Sequence, residues 1–547
     1  MKINRTVMAP VLVAVTAMAT GGWFLQRGMG QEQNVYANAR LFEDVLQFVA
    51  ESFVDEKEPA QLYRMAVDGM LEELGDPHTS LMLAEDYENL RLQTQGEYGG
   101  IGVSIDRRGG WITVISPLPG TPGERAGLQA GDQIIEVDGE STRDWDTDLA
   151  VSKLRGPEGE PVDILIARGG VGEPIPIRIV REEIHLQAVP SAYMLDGNVG
   201  YVELTSFSES STRELRDAIA ELRSNGARGM ILDLRGNPGG LLDQGVMVAD
   251  LFLDRGETVV ETKGRAENQN QRAVARTADQ FPDLPVVVLV GPQSASASEI
   301  VAGALQDHDR ALVLGRTTYG KGSVQSLYPL ENNNWLKITT ARWYTPSGRS
   351  IQKPYGIDAH LVEDDIGEAA PEDTTERPEY ETDSGRTVYG GGGIHPDVVL
   401  PPDTTTLEER RFVQAMQQHF SDYIAARLNF AVTYLRENPG LQPGFEVTPA
   451  MLDRFYTTIV DGGVEVDREL YDNASRWLAN DLGVEITLSK WGQEAARRRT
   501  NAGDPQVKAA ADMLRRATTP ESLFALAQSF RAPGRSAPEP ESAPAMR

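Results

Sequence analysis

The feature that most constrains this chain is the alternation of strand-like and helix-like segments between Val199 and Leu400. Gly200-Tyr201-Val202-Glu203-Leu204, Met230-Ile231-Leu232-Asp233-Leu234 and Val286-Val287-Val288-Leu289-Val290 are short apolar runs, while Thr212 to Ser224 and Ser296 to Asp307 have helical patterns. Such alternation predicts an α/β fold with helices packed against a sheet.

At 547 residues the chain has room for three or four domains. Lys2 and Arg5 precede an uncharged apolar run from Val7 to Leu25, so residues 1–30 read as a membrane signal. Ala17-Met18-Ala19 fits a cleaved signal peptide and the continuation through Trp23 and Phe24 fits a retained anchor; both place the later residues outside the cytoplasm. Over 34–95, Leu41, Val45, Phe48, Leu62, Met65, Met70 and Leu74 recur at helical spacing and predict two or three amphipathic helices. Residues 96–185 switch to period-two runs between Gly/Pro/Asp turns, a small β module. The α/β core spans 190–402 and contains an acidic excursion at 360–386, with too few large apolar groups to offset its ordering entropy. Residues 403–531 are helical again, with Phe412, Met416, Phe420, Ile424, Leu514, Leu523 and Leu526 among the apolar positions, and 532–547 read as a disordered Pro/Ser/Ala tail. The fold class is thus α/β and multidomain.

Composition removes several functions. The 52 basic and 81 acidic residues leave a net charge of −29, which repels phosphate backbones and argues against a nucleic-acid partner. The absence of cysteine excludes disulfides, thiolate nucleophiles and Cys-ligated zinc. The six histidines (His78, His185, His308, His360, His395 and His419) lack metal-ligand spacing, so no metal and no cofactor are expected.

Three segments of the core could carry chemistry. Leu234-Arg235-Gly236-Asn237-Pro238-Gly239-Gly240 is a glycine-rich turn that brings backbone N–H groups near a ligand or an oxyanion, although a tight strand-to-helix turn explains it more simply. Phosphate-loop spacings are missing from it. Gly291-Pro292-Gln293-Ser294-Ala295-Ser296-Ala297-Ser298-Glu299-Ile300 places hydroxyls at a helix amino terminus, suited to a nucleophile. Ser296-x-x-Glu299 is equally a capping box, which needs no catalysis. In Gly320-Lys321-Gly322-Ser323-Val324-Gln325 a lysine sits between glycines, and a buried neutral lysine can serve a serine as base. Taken singly, a lysine is more often a solvated surface charge.

Together these segments resemble the carboxyl-terminal processing (tail-specific) proteases, serine endopeptidases with a Ser-Lys dyad. The resemblance spans about Leu41 to Leu400 and implies Ser296 as nucleophile and Lys321, 25 residues on, as base. It also implies Gln325 as the residue positioning the lysine, and the N–H groups of Gly239, Gly240 and Ala297 as the oxyanion hole. Glu299 matches a nearby family carboxylate, with capping as its simpler role. Gly75-Asp76-Pro77-His78-Thr79-Ser80 and Gly393-Ile394-His395-Pro396-Asp397 resemble further family turns, whereas the acidic excursion and the long carboxyl-terminal helical region depart from shorter members.

The β module is similar to a bacterial PDZ domain. Gly100, Ile101, Gly102 and Val103 would form its carboxylate-binding loop and edge strand, able to pair with an extended peptide and hold its terminal carboxylate. The expectation is therefore an exported, periplasmic or otherwise extracytoplasmic endopeptidase that binds protein or peptide substrates by their C-termini. Membrane contact through residues 7–25 and homo-oligomerisation stay open. The alternative is a non-catalytic PDZ scaffold or chaperone with a protease-like fold, and a Ser-His hydrolase using His308 or His395 is a narrower rival.

Overall fold

The computed structural model describes residues 36–169, 171–353, 377–401 and 405–529. The apolar amino-terminal run, most of the acidic excursion and the carboxyl-terminal tail lie outside the described residues. Among those described, no helix is long and apolar enough to cross a membrane.

The described residues form two compact units, one running to Leu83 and including Leu327–Ile338, the other made of those in Ala84–Ser326 and from Thr339 on. In the first, helices occupy 36–52 and Pro59–Glu72, and the strand Ser80–Met82 pairs antiparallel with 335–337. The helices form as their periodicity predicts, but of the seven apolar positions that define it only Leu62 is buried, while Leu41, Val45, Phe48, Met65, Met70 and Leu74 stay exposed. Periodicity specifies an apolar stripe; an opposing layer must be present for that stripe to be buried.

In the second unit the β module is a sheet ordered Val103–Arg108, Trp111–Pro117, Gln133–Val137, Pro161–Ala167 and Ile175–Val180, with every neighbouring pair antiparallel. Val103–Arg108 is an edge strand, and Ile112, Val114, Ile134, Val162, Ile164 and Ile166 fill the core beneath the helix Thr147–Leu154.

The α/β core is a six-stranded sheet ordered Ser191–Leu195, Val199–Glu203, Gly229–Asp233, Val286–Val290, Leu312–Gly315 and Val398–Val399. The first pair is antiparallel and the others parallel. Successive side chains point to opposite faces. Val202, Met230, Leu232, Val286, Val288 and Val290 meet the helices Ser211–Ser224, Leu242–Asp250 and Ala297–Asp307 on one face. Tyr201, Ile231, Val287, Leu289, Leu312 and Leu314 meet Val507, Ala510, Ala511, Met513 and Leu514 of the helix Pro505–Arg516 on the other. The apolar runs are continuous because both faces are covered, and the second cover comes from the carboxyl-terminal region. The rest of that region forms its own bundle around Phe412, Tyr423, Phe430, Phe455, Tyr471, Leu478 and Leu482. Its helix Phe420–Glu437 reaches the β module, where Arg436 donates to the Gly169 carbonyl at 3.0 Å.

The expectation of an excursion through 360–386 needs correction at its carboxyl end. Strands Glu379–Glu381 and Thr387–Tyr389 form a hairpin, with the Asp383 N–H bonded to the Asp307 carbonyl at 2.9 Å. Arg386 also pairs with Asp309 and Asp397. Charges rather than apolar area tie this segment down, so low hydrophobicity misjudged it. His308, at the end of the Ala297–Asp307 helix, faces Asp383 at 2.7 Å and the Thr258 carbonyl at 2.8 Å. Burial lowers its pKa, but these two bonds and nearby Glu257 outweigh burial and leave it raised. A raised folded-state pKa stabilises the fold below the unfolded value of ~6.5, and the contribution is lost as pH rises through the folded-state value. Asp383→Asn is therefore expected to lower Tm at pH 6 and to have little effect at pH 9 in thermal melts; equal losses at both would contradict the ion pair.

Candidate active site

The glycine turn, the serine turn and the lysine loop, far apart in sequence, meet at the carboxyl ends of the parallel strands. The Ala297–Asp307 helix is buried along its whole length, and from Ser294 to Asp307 only Ser296 is partly exposed. Ser296 has φ of 53°, a left-handed conformation that costs a non-glycine residue ~1–3 kcal/mol and persists only where its surroundings enforce it. Here they do: the Ala295 N–H donates to the Asn237 carbonyl at 3.1 Å and the Ser298 hydroxyl to the same oxygen at 2.9 Å. The Ser294 hydroxyl holds the Leu234 carbonyl at 2.7 Å.

Of the capping box expected at Ser296 and Glu299 the glutamate half is formed, the Ser296 N–H donating to Glu299 Oε2 at 2.8 Å, while the Glu299 N–H goes to the Ser296 carbonyl at 2.9 Å. No hydrogen bond of capping geometry is made by the Ser296 side chain itself. Glu299 does more than cap. Its Oε2 also accepts the Lys321 N–H at 3.0 Å, and its Oε1 accepts the Thr318 hydroxyl and the Gly320 N–H, both at 2.6 Å. One fully buried carboxylate thus ties the serine and lysine backbones to a single oxygen atom. Burial pushes its pKa up, and the four donated hydrogen bonds only partly offset that. Two further bonds brace the lysine loop: Tyr319 N–H to the Ser294 carbonyl at 3.0 Å, and Trp343 Nε1 to the Lys321 carbonyl at 3.0 Å. Gln325 lies in the following strand, its amide donating to the Ser323 hydroxyl at 2.9 Å and the Thr339 hydroxyl at 3.2 Å.

Gly239 abuts the serine. A Cβ there would sit 2.9 Å from Ser296 Cβ and 3.0 Å from the Ala297 nitrogen, and φ is +100°, so only glycine fits. Its own N–H donates to Asn237 Oδ1 at 2.9 Å, because the asparagine side chain folds back over the turn. The Gly239 N–H is therefore already engaged, unlike those of Gly240 and Ala297, which were expected beside it as oxyanion donors. Among the described residues no acceptor meets either of those two N–H groups. Arg235, at the head of the turn, grips the buried Asp233 carboxylate, also held by the Tyr201 hydroxyl at 2.7 Å.

His308 lies elsewhere. His308 follows the far end of the 11-residue helix that Ser296 begins, roughly 18 Å away at 1.5 Å per residue. The His395 carbonyl is bonded by Gln306 near that same end. Sequence reasoning missed Thr318 and the second role of Glu299; the capping box was the available signal, and it stopped at the helix.

In the β module, Gly100 ends the strand Glu97–Gly100, and Ile101 and Gly102 lead from it to Val103, the first residue of the edge strand. Gly102 has φ of +69°, and a Cβ would fall 2.3 Å from that of Thr121, whose hydroxyl donates to the Gly102 carbonyl at 2.8 Å. Among the described residues no acceptor meets the N–H of Ile101 or Gly102.

Comparison with known proteins gives the family. Residues 198–362 match the model of peptidase family S41 and residues 113–168 that of the PDZ domain. The carboxy-terminal-processing protease of Bartonella bacilliformis is 43% identical over 325 residues, covering 59% of this chain and 74% of the relative. The carboxy-terminal processing protease CtpA of Bacillus subtilis is 33% identical over 349 residues, 63% of this chain and 73% of that one. Among solved structures, the photosystem II D1 C-terminal processing protease aligns at 28% identity and a TM-score of 0.35, over 65% of this chain and 86% of that one. The chain belongs to peptidase family S41, as a serine protease of the carboxy-terminal processing type that carries a PDZ domain.

Proposed function

We propose that this protein is an exported endopeptidase that captures the free carboxyl terminus of a flexible protein substrate in its PDZ groove and cleaves it with a Ser296-Lys321 dyad. The observation that carries the proposal is the shared contact of the Ser296 and Lys321 N–H groups with Glu299 Oε2, at the one partly exposed position of a buried helix start. Ser296 Oγ attacks the scissile carbonyl carbon while neutral Lys321 takes its proton; the C–N bond then breaks, the lysine returns the proton to the leaving amine, and an acyl-enzyme remains. Water hydrolyses that ester by the same route. The N–H groups of Gly240 and Ala297 hold the oxyanion at both stages, and the side-chain carbonyl oxygen of Gln325 is left to orient the lysine. Export is supported by the basic and apolar start of the sequence.

Tail capture rests on the free edge of Val103–Arg108 and the unengaged N–H groups at its head. Charge-assisted bonds to a terminal carboxylate are worth ~1.5–3 kcal/mol, so amidating the C-terminus of an unfolded reporter is expected to lower kcat/KM by roughly tenfold to a hundredfold. Steady-state cleavage of the two reporters checks this, and equal kcat/KM would refute tail recognition.

A further inference from the structure

The carboxyl-terminal region lies outside the family match at 198–362, yet it reaches the active-site turn. We infer that Asp504 and Gln506 are positioning residues for hydrolysis: through Arg235 they hold the glycine turn whose Gly239 stands against Ser296 and whose Gly240 follows it, packed on Phe207. The inference rests on the proposed roles of Ser296 and the oxyanion donors.

The contacts are specific. Arg235 Nη1 donates to Asp504 Oδ2 at 2.6 Å and to Gln506 Oε1 at 2.8 Å, while its Nη2 donates to Asp233 Oδ2 at 2.7 Å. The guanidinium is thus clamped between the last residue of a core strand and the start of the helix Pro505–Arg516, with side chains mostly buried on all sides. Gln506 in turn donates to the Leu400 carbonyl at 2.6 Å, closing the end of the core. A Cβ on Gly291 would lie 3.9 Å from Arg235 Cγ, so the same side chain lies beside the start of the serine turn. From Arg235 the link to the reaction centre is short. Gly236 and Asn237 bond back to the Leu234 carbonyl, and Asn237 supplies the carbonyl that holds Ala295 and Ser298. Loosening the guanidinium frees the turn that carries the Gly240 donor while leaving the PDZ groove untouched. The helical region is therefore part of the catalytic scaffold, and its detachment would switch the enzyme off.

The sequence permits a clean separation of roles. Asp504 caps its helix through Oδ1, which accepts the N–H groups of Gln506 and Val507, and meets Arg235 through Oδ2. Asparagine is an equally good cap, so Asp504→Asn keeps the helix through Oδ1 and puts an NH₂, which cannot accept the Arg235 hydrogen bond, in place of Oδ2. Gln506→Met removes the second acceptor at similar volume. Asn501→Ala is the control: it breaks a buried bond from the same region to Tyr193, at 2.8 Å, on the edge strand of the sheet.

The experiment is steady-state cleavage of an unfolded reporter with an apolar free C-terminus by the full chain and the Asp504→Asn, Gln506→Met, Asn501→Ala and Ser296→Ala variants, well below each variant's Tm. Asp504→Asn and Gln506→Met are expected to lower kcat on the order of tenfold to a hundredfold with KM unchanged, and Asn501→Ala to lower Tm while keeping kcat. If Ser296→Ala is inactive but both positioning variants keep the parental kcat, or lose it only in step with Tm as Asn501→Ala does, the coupling is overturned and the proposed function stands. Normal turnover by Ser296→Ala overturns both.

Discussion

Ser296→Ala is expected to abolish peptide hydrolysis, lowering kcat on the order of 10⁴-fold or more, as removal of a covalent nucleophile does. Lys321→Ala should lose on the order of 10²- to 10⁴-fold, the usual contribution of a general base. Lys321→Arg separates charge from basicity: arginine keeps the cation but does not give up its proton, so this variant should be as inactive as the alanine one. All three should fold. The serine side chain makes no capping hydrogen bond, and the lysine loop is held through the Lys321 backbone N–H and carbonyl. Activity with a competent reporter, together with circular dichroism and Tm, checks the set. A Lys321→Arg enzyme that turned over normally would show that a positive charge, and not a base, is needed there.

The second large effect belongs to Glu299→Gln. Each carboxylate oxygen accepts two hydrogen bonds, from Ser296 and Lys321 on one side and from Thr318 and Gly320 on the other. An amide must turn its NH₂ toward one of these donor pairs, leaving two buried donors without an acceptor at ~1–3 kcal/mol each. A lower Tm is expected, with kcat down on the order of a hundredfold even in protein that remains folded, because both the serine and the lysine backbones are released. Thr318→Val removes one donor and keeps the shape, so its loss should be smaller. Full activity in Glu299→Gln would reduce the carboxylate to a helix cap.

The α/β core was legible because its strands are near-continuous apolar runs, and the structure shows why: helices cover both faces of Gly229–Asp233 and Val286–Val290. The source of the second cover was hidden. The pattern of Val507, Ala510, Ala511 and Leu514 announces an amphipathic helix but cannot name the sheet it will meet, whose strands lie far earlier in the chain, from Tyr201 to Leu314. The site was legible in its parts for a similar reason. Ser296-x-x-Glu299 declares a helix start, whereas the reach of Glu299 to Lys321 depends on a loop folding back over that start, which no local periodicity encodes. The hairpin around Asp383 was misjudged because hydrophobicity does not register a segment held by Arg386 and His308. In the amino-terminal helices the opposite occurred, with the stripe foreseen but all of its seven positions except Leu62 left exposed.

Covalent chemistry at Ser296, served by Lys321, is the central claim. Its most direct measurement is rapid acid quenching of the full-length enzyme during turnover of an unfolded reporter with an apolar free C-terminus, with peptide mapping of the quenched protein by mass spectrometry. An acyl adduct carried by the peptide that contains Ser296, absent from Ser296→Ala and strongly slowed in forming in Lys321→Ala, is the predicted result. An adduct on another residue, or cleavage by Ser296→Ala at the parental rate, would contradict it.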